Sequence, residues 1–207
     1  MTDYSVYLVM GPDVADAPEL AARAAAGGAG VIQWRDKSAT TADQVAAVRR
    51  LVAATPVPVL VNDRADVAVA AGAAGVHVGH GDLTPAEARA IVGPDRIVGL
   101  TVHSMEEAAA CDDAPIDYAS VGGVFETTSK HNPQPPIGID GFAEIAARIR
   151  RTRKIPVIAI AGITAERAEA LAAAGADGVA VMSFVTKADD PAVAARLLKD
   201  AVERGRA

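Results

Sequence analysis

The sequence predicts a single (β/α)₈ barrel, and three observations carry that reading. Short apolar stretches alternate with helical patterns eight times along 207 residues. Three segments rhyme: "AAAGGAGVIQW", "AAGAAGVHVG" and "AAAGADGVAVM". Each ends an Ala-rich helix, turns at a Gly able to take the left-handed cap, and enters a buried strand. Finally, the conspicuous polar clusters follow strands, whereas Gly, Pro and plain apolar residues precede them. A doubly wound open sheet is the main rival. Its dinucleotide turn is Gly-rich, and "LVMGPD" after the first strand supplies one Gly.

Taken in order, the first strand is expected at Tyr4–Met10, an apolar run stopped by "GPD", with a helix near Pro18–Ala26. The first rhyme gives a strand at Gly30–Trp34, and "TTADQ" opens a helix at Thr41–Ala53 with a hydroxyl ahead of an acid. Strand Pro58–Val61 precedes helix Ala65–Ala71, and the second rhyme gives strand Gly75–Val78. "LTPAE" then starts helix Pro85–Ile91 with Pro in the first turn. Strand Ile97–Leu100 leads to a helix at Ser104–Ala110, opened by "SMEE". After strand Asp117–Val121 comes helix Gly141–Arg151, then strand Pro156–Ile160 and helix Thr164–Ala174, opened by "TAER". The third rhyme gives strand Gly178–Met182, and Pro191–Val202 is the last helix. No composition shift or Pro/Ser-rich linker divides the chain, so residues 1–207 read as one catalytic domain. One long irregular connection, Gly122–Asp140, has the length of a lid or binding loop.

Composition narrows the function classes. Abundant Ala, Val and Gly with 3% aromatics suit helices packed closely on buried parallel strands. A net charge of −6 argues against a nucleic-acid partner. The opening "MTDYSVYLVM" lacks a basic n-region and is too short to span a bilayer, so a soluble cytoplasmic protein with no membrane partner is expected. Cys111 stands alone, which excludes an internal disulfide and fits a reducing compartment. Its Ala-rich surroundings suggest helix packing. The composition leaves a homo-oligomer open.

In such a barrel the chemistry sits where the strands end. Gln33, Arg35 and Lys37 in "QWRDK" share one face by their spacing, with Trp34 turned to the other. This is either a polar edge or a row of donors aimed at an anion. Asn62, Asp63 and Arg64 follow the third strand; His77, His80 and Asp82 belong to the fourth; Thr101, His103 and Ser104 follow the fifth. The loop after the sixth offers Thr127, Thr128, Ser129, Lys130 and His131. "AIAGIT" and "VAVMS" close strands seven and eight, where many barrels hold phosphate through backbone N–H groups. There Gly162 admits an oxygen close to the backbone and Ser183 adds a hydroxyl. Asp63 and Asp82, amid cations, suit Mg²⁺, which takes one or two carboxylates plus phosphate oxygens. Each is otherwise a helix cap, a turn residue or a surface ion pair. His77 alternates with valines and reads as a hydrogen-bonded core histidine. No zinc spacing, triad order or nucleophile elbow stands out.

Six stretches together, "QWRDK", "VNDRADVAVAAGAAGVHVGHGDL", "GLTVHS", "DYASVGGVFETTSK", "AIAGIT" and "DGVAVMS", resemble the thiamine-phosphate synthase family over nearly the whole chain. That family has a (β/α)₈ fold. It joins 4-amino-2-methyl-5-hydroxymethylpyrimidine diphosphate to a thiazole ethyl phosphate and releases pyrophosphate. By position the resemblance implies pyrimidine-diphosphate contacts at Gln33, Arg35, Lys37, Asn62, Thr101 and Lys130. Arg35, Lys37 and Lys130 would neutralise the leaving group, with Asp63 and Asp82 holding Mg²⁺. It implies a thiazole-phosphate site at Thr127, Thr128, Ser129, Gly162, Met182 and Ser183. The partners implied are thus two small phosphorylated substrates. The chain departs from the pattern at Gly122-Gly123, where the family usually has Gly-Pro, at Glu126, at His80, and at Thr101, often Ser. A thiazole tautomerase and a non-catalytic phosphate-binding barrel are the alternatives; the retained Asp63, Asp82 and Lys130 favour the synthase.

Overall fold

The structure, a computed structural model, describes residues 2–127 and 135–207. Eight parallel strands close into a barrel in chain order, β1 pairing with β8. They are β1 (Val6–Met10), β2 (Val31–Trp34), β3 (Val59–Asn62), β4 (Gly75–Val78), β5 (Ile97–Val102), β6 (Tyr118–Val121), β7 (Val157–Ile160) and β8 (Gly178–Val181). Packed outside them are α1 (Ala17–Ala26), α2 (Thr41–Ala54), α3 (Ala65–Ala71), α4 (Pro85–Val92), α5 (Met105–Ala109), α6 (Gly138–Arg150), α7 (Ala165–Ala173), a short α8 (Ser183–Thr186) and α9 (Pro191–Arg206).

The strands are almost uniformly apolar because both of their faces are covered. Alternation sorts their side chains into two cores. Leu8, Met10, Ile32, Trp34, Val61 and Val76 pack outward against the helices. Tyr7, Val9, Leu60, Tyr118 and Ile158 fill the barrel. Trp34 therefore turns away from Gln33, as the spacing predicts. The interior is narrow, and Gly99 on β5 makes room in it: a Cβ there would lie 2.1 Å from Cζ of Tyr118. An aromatic ring fits inside this barrel because its neighbour on the adjacent strand has no side chain.

The helix starts follow the expected chemistry. Thr40, Thr84, Ser104 and Thr164 are the N-caps of α2, α4, α5 and α7, each accepting from a backbone N–H three residues on. Thr84 and Glu87 complete a reciprocal capping box. The boundaries that move do so for tertiary reasons. β5 continues to Val102, past the expected Leu100, because Thr101 and Val102 pair with Ser120 and Val121 of β6. β1 begins at Val6, where pairing to Val179 of β8 starts. α6 starts at Gly138, shortening the long loop, and α9 runs on to Arg206. The short α8 carries no local signal and was not expected.

Candidate active site

A cavity of about 180 Å³ opens at the C-terminal ends of the strands. Of the residues expected there, Gln33, Arg35, Asn62, Thr101, Thr127, Gly162, Met182 and Ser183 line it, whereas Lys37, Asp63 and Asp82 are not among its lining residues. Thr128, Ser129, Lys130 and His131, within the expected lid, lie outside the described residues.

The donor row after β2 divides into three roles. Gln33 is 3% exposed and already engaged. Its Nε2 donates to Oδ1 of Asn62 at 2.7 Å and its Oε1 accepts from the Tyr7 hydroxyl at 2.8 Å. It belongs to the barrel interior and shows the cavity a bound amide. Arg35 is half-buried, lines the cavity, and makes no side-chain hydrogen bond or ion pair among the described residues. Lys37 is exposed and lies 3.0 Å from Asp63. A pair whose lysine is exposed and whose carboxylate is half-buried stabilises by about 1 kcal/mol, so Lys37 can turn to an incoming anion at small cost.

Two carboxylates meet across β3 and β4. Asp63 follows β3 with φ +64, a left-handed conformation that Asp tolerates better than most residues, and its N–H donates to the carbonyl of His77 at 2.8 Å. Asp82 accepts from the N–H of Gly79 at 2.9 Å, closing the turn after β4. Partial burial, and then hydrogen bonding with Asp63, raise the pKa of Asp82. Two acids near enough to do this repel each other when both are ionised. Hard oxygen donors that repel one another are the donor set a divalent cation such as Mg²⁺ suits.

The opposite side of the mouth is shaped by backbone. Among the described residues the two non-glycines at positive φ are Asp63 and Ala161, and Ala161 is followed by Gly162 at φ +66. Such strain concentrates where the backbone itself is used. The loop after β6 crosses here: Phe125 N–H donates to the Ala161 carbonyl at 3.2 Å. Arg167 on α7 braces the crossing, donating to the Gly162 carbonyl at 2.5 Å and lying 4.3 Å over the Phe125 ring. A Cβ at Gly162 would come within 2.3 Å of the Glu126 carbonyl oxygen. Gly162→Ala is therefore expected to destabilise the fold by about 2 kcal/mol or more, from left-handed strain plus the clash. Urea denaturation reads that loss, and an unchanged midpoint would refute the strained geometry.

The remaining sequence candidates have other tasks. Arg64 faces away from the cavity chemistry, paired with Asp66 and bonded to Thr41. Ser104 spends its hydroxyl on capping α5. His80 sits exposed in the turn after Gly79, and Glu126 is exposed as well. His77 is the bonded core histidine expected, held by Tyr118 at 2.7 Å and Thr101 at 2.6 Å. His103 lines the cavity, with Glu107 3.4 Å from its Nδ1. Burial pushes the Cys111 thiol up to about 11, as suits packing and not nucleophilic chemistry. Sequence reading missed Arg167, Tyr7 and Tyr118. The tyrosines had a usable signal: a phenol at an inward strand position needs a buried partner.

A closed parallel barrel with its cavity and polar side chains gathered at the strand C-termini defines a barrel enzyme. Comparison with known proteins gives the kind. Residues 6–185 match the family model described as thiamine monophosphate synthase. The thiamine-phosphate synthase of Agrobacterium fabrum is 45% identical over 195 residues, covering 92% of this chain and 89% of the relative. That of Haloarcula marismortui is 41% identical, with both chains covered in full. The solved thiamine phosphate pyrophosphorylase of Pyrococcus furiosus superposes with a TM-score of 0.87 at 32% identity, covering 100% of this chain and 98% of that one. The chain belongs to the thiamine monophosphate synthase family.

Proposed function

We infer that the protein is a thiamine-phosphate synthase, a transferase that joins a pyrimidinylmethyl group to a thiazole nitrogen. The observation that carries the reading, beyond family membership, is a single cavity lined by Arg35 and Asn62 from the ends of β2 and β3 and also by a glycine-turned backbone and Ser183 from the ends of β7 and β8. Two phosphorylated substrates need two such sets of donors.

In this reading Arg35 and Lys37 bind the diphosphate, joined by Lys130. Asn62 and Thr101 orient the pyrimidine. Gly162 and Ser183, with Met182 and the Thr127–Ser129 stretch, hold the thiazole phosphate. The short α8 stands where phosphate-binding barrels commonly carry an extra helix. Asp63 and Asp82 would hold Mg²⁺, which supplies charge neutralisation at the departing oxygens. The C–O bond breaks and its electron pair leaves with pyrophosphate, as Arg35 and Lys37 offset the growing charge. The aminopyrimidine ring delocalises the cation left on the methylene carbon. The thiazole nitrogen, aligned by its phosphate, donates its lone pair to form the C–N bond. That step needs no protein base.

His103, a titratable group lining the cavity, is a feature that favours thiazole isomerisation. Gly123, also lining it, has no side chain to move a proton. The experiment is a side-by-side assay: condensation of the two substrates with Mg²⁺, and proton exchange into the thiazole phosphate alone. Thiamine phosphate is the expected product. Rapid exchange with no thiamine phosphate would overturn the reading.

A further inference from the structure

Six side chains form one unbroken hydrogen-bonded relay through the barrel interior. Asn62 joins Gln33 at 2.7 Å, Gln33 joins Tyr7 at 2.8 Å, and Tyr7 joins Tyr118 at 2.8 Å. Tyr118 joins Nδ1 of His77 at 2.7 Å, and Nε2 of His77 joins Thr101 at 2.6 Å. Both ends, Asn62 and Thr101, line the cavity, while the phenols between them are at most 1% exposed. Burial raises the pKa of both tyrosines, so each keeps its proton.

A hydroxyl has one proton to give, so the direction of one bond in such a relay sets all the others. Gln33 uses Nε2 as donor to Asn62. Its Oε1 therefore receives the Tyr7 proton, and the Tyr7 oxygen receives the Tyr118 proton. The Tyr118 oxygen is left to accept, which requires hydrogen on Nδ1 of His77. Nε2 of His77 is then a lone pair and takes the Thr101 proton. Reversing the order would require every bond, and both amides, to turn together.

We propose that this relay presets the hydrogen-bonding polarity of the cavity mouth, so that Thr101 turns lone pairs to the ligand and Asn62 turns N–H. Tyr7, Tyr118 and His77 are positioning residues for that polarity, although they line or underlie the cavity without sharing its charge. The ligand selected offers an N–H to Thr101 and an acceptor to Asn62. The proposal rests on the synthase reading for its choice of ligand: an aminopyrimidine carries an exocyclic amine beside a ring nitrogen lone pair. The corresponding oxo-pyrimidine carries a carbonyl beside a ring N–H, which inverts both contacts. The relay would thus distinguish amino from oxo rings.

The first test needs no substrate. Nitrogen-15 NMR of the ligand-free protein, with the His77 signals assigned by their loss in His77→Asn, should show hydrogen on Nδ1 and none on Nε2. Hydrogen on Nε2, alone or with Nδ1, overturns the proposal whatever the enzyme catalyses. The second test is kinetic. Tyr118→Phe cuts the relay in the middle and is expected to raise KM for the pyrimidine diphosphate about tenfold, the worth of one misdirected hydrogen bond. KM for the thiazole phosphate should stay unchanged, and inhibition by the oxo analogue of the pyrimidine diphosphate should strengthen. Equal rises in both KM values, or unchanged discrimination against the oxo analogue, would mark a general loosening of the barrel and refute the relay.

Discussion

Asp82→Asn is expected to lower turnover at least about a hundredfold, roughly 2.7 kcal/mol of barrier, while the fold survives. The side chain is exposed at the mouth, so little packing is lost. What disappears is one of the two charges proposed to fix the cation against the leaving diphosphate. Stability near neutral pH should hold or rise slightly. Because its proton is bound more tightly in the folded state, ionised Asp82 disfavours folding. Its contribution to stability is present at low pH and is lost as pH rises through the folded pKa. The Asn variant should lack that particular loss. Asp63→Asn is the matching test from the other side, since Asn also tolerates positive φ. Full turnover in either variant, or in wild type with excess chelator, would remove the carboxylates from the mechanism.

Arg35→Met is expected to reduce kcat/KM about a hundredfold or more, by removing a charged donor from the departing phosphate in a partly dry cavity. The folded protein should not suffer. A half-buried guanidinium without a side-chain partner among the described residues carries desolvation cost that the thioether avoids. The substitution therefore separates activity from stability in opposite directions. Arg35→Lys should recover little, because a point charge cannot reproduce the planar two-pronged contact. Steady-state kinetics and urea denaturation on both variants decide the matter. Activity within a few-fold of wild type would assign Arg35 to solvation of the mouth.

The alternation of strands and helices was legible because its causes are local. Buried parallel strands must be apolar, and Thr40, Thr84, Ser104 and Thr164 cap their helices through bonds three residues long. The period of two placed Trp34 outward and Gln33 inward, and the barrel then put every strand end at one mouth. The candidate site was legible to the same depth. Arg35, Asn62, Thr101, Gly162 and Ser183 do line one cavity, since position after a strand brings a side chain to that mouth, although Lys37, Asp63 and Asp82, placed by the same rule, stand off its lining.

Which residues meet across the barrel is not a local property. Tyr7 and Tyr118 stand 111 positions apart and touch only because eight strands close into a ring. That closure converts Gln33 from a donor facing a ligand into a link of a buried relay, while the pairing of β3 with β4 brings Asp82 near Asp63. It also carries the loop after β6 across the end of β7, where Arg167 grips Gly162. The sequence by itself determined the elements, their order and the face each side chain takes, because sterics and burial act along a few residues. Tertiary structure decided the partners and the strained backbone at Asp63 and Ala161. Those depend on groups that share no stretch of chain.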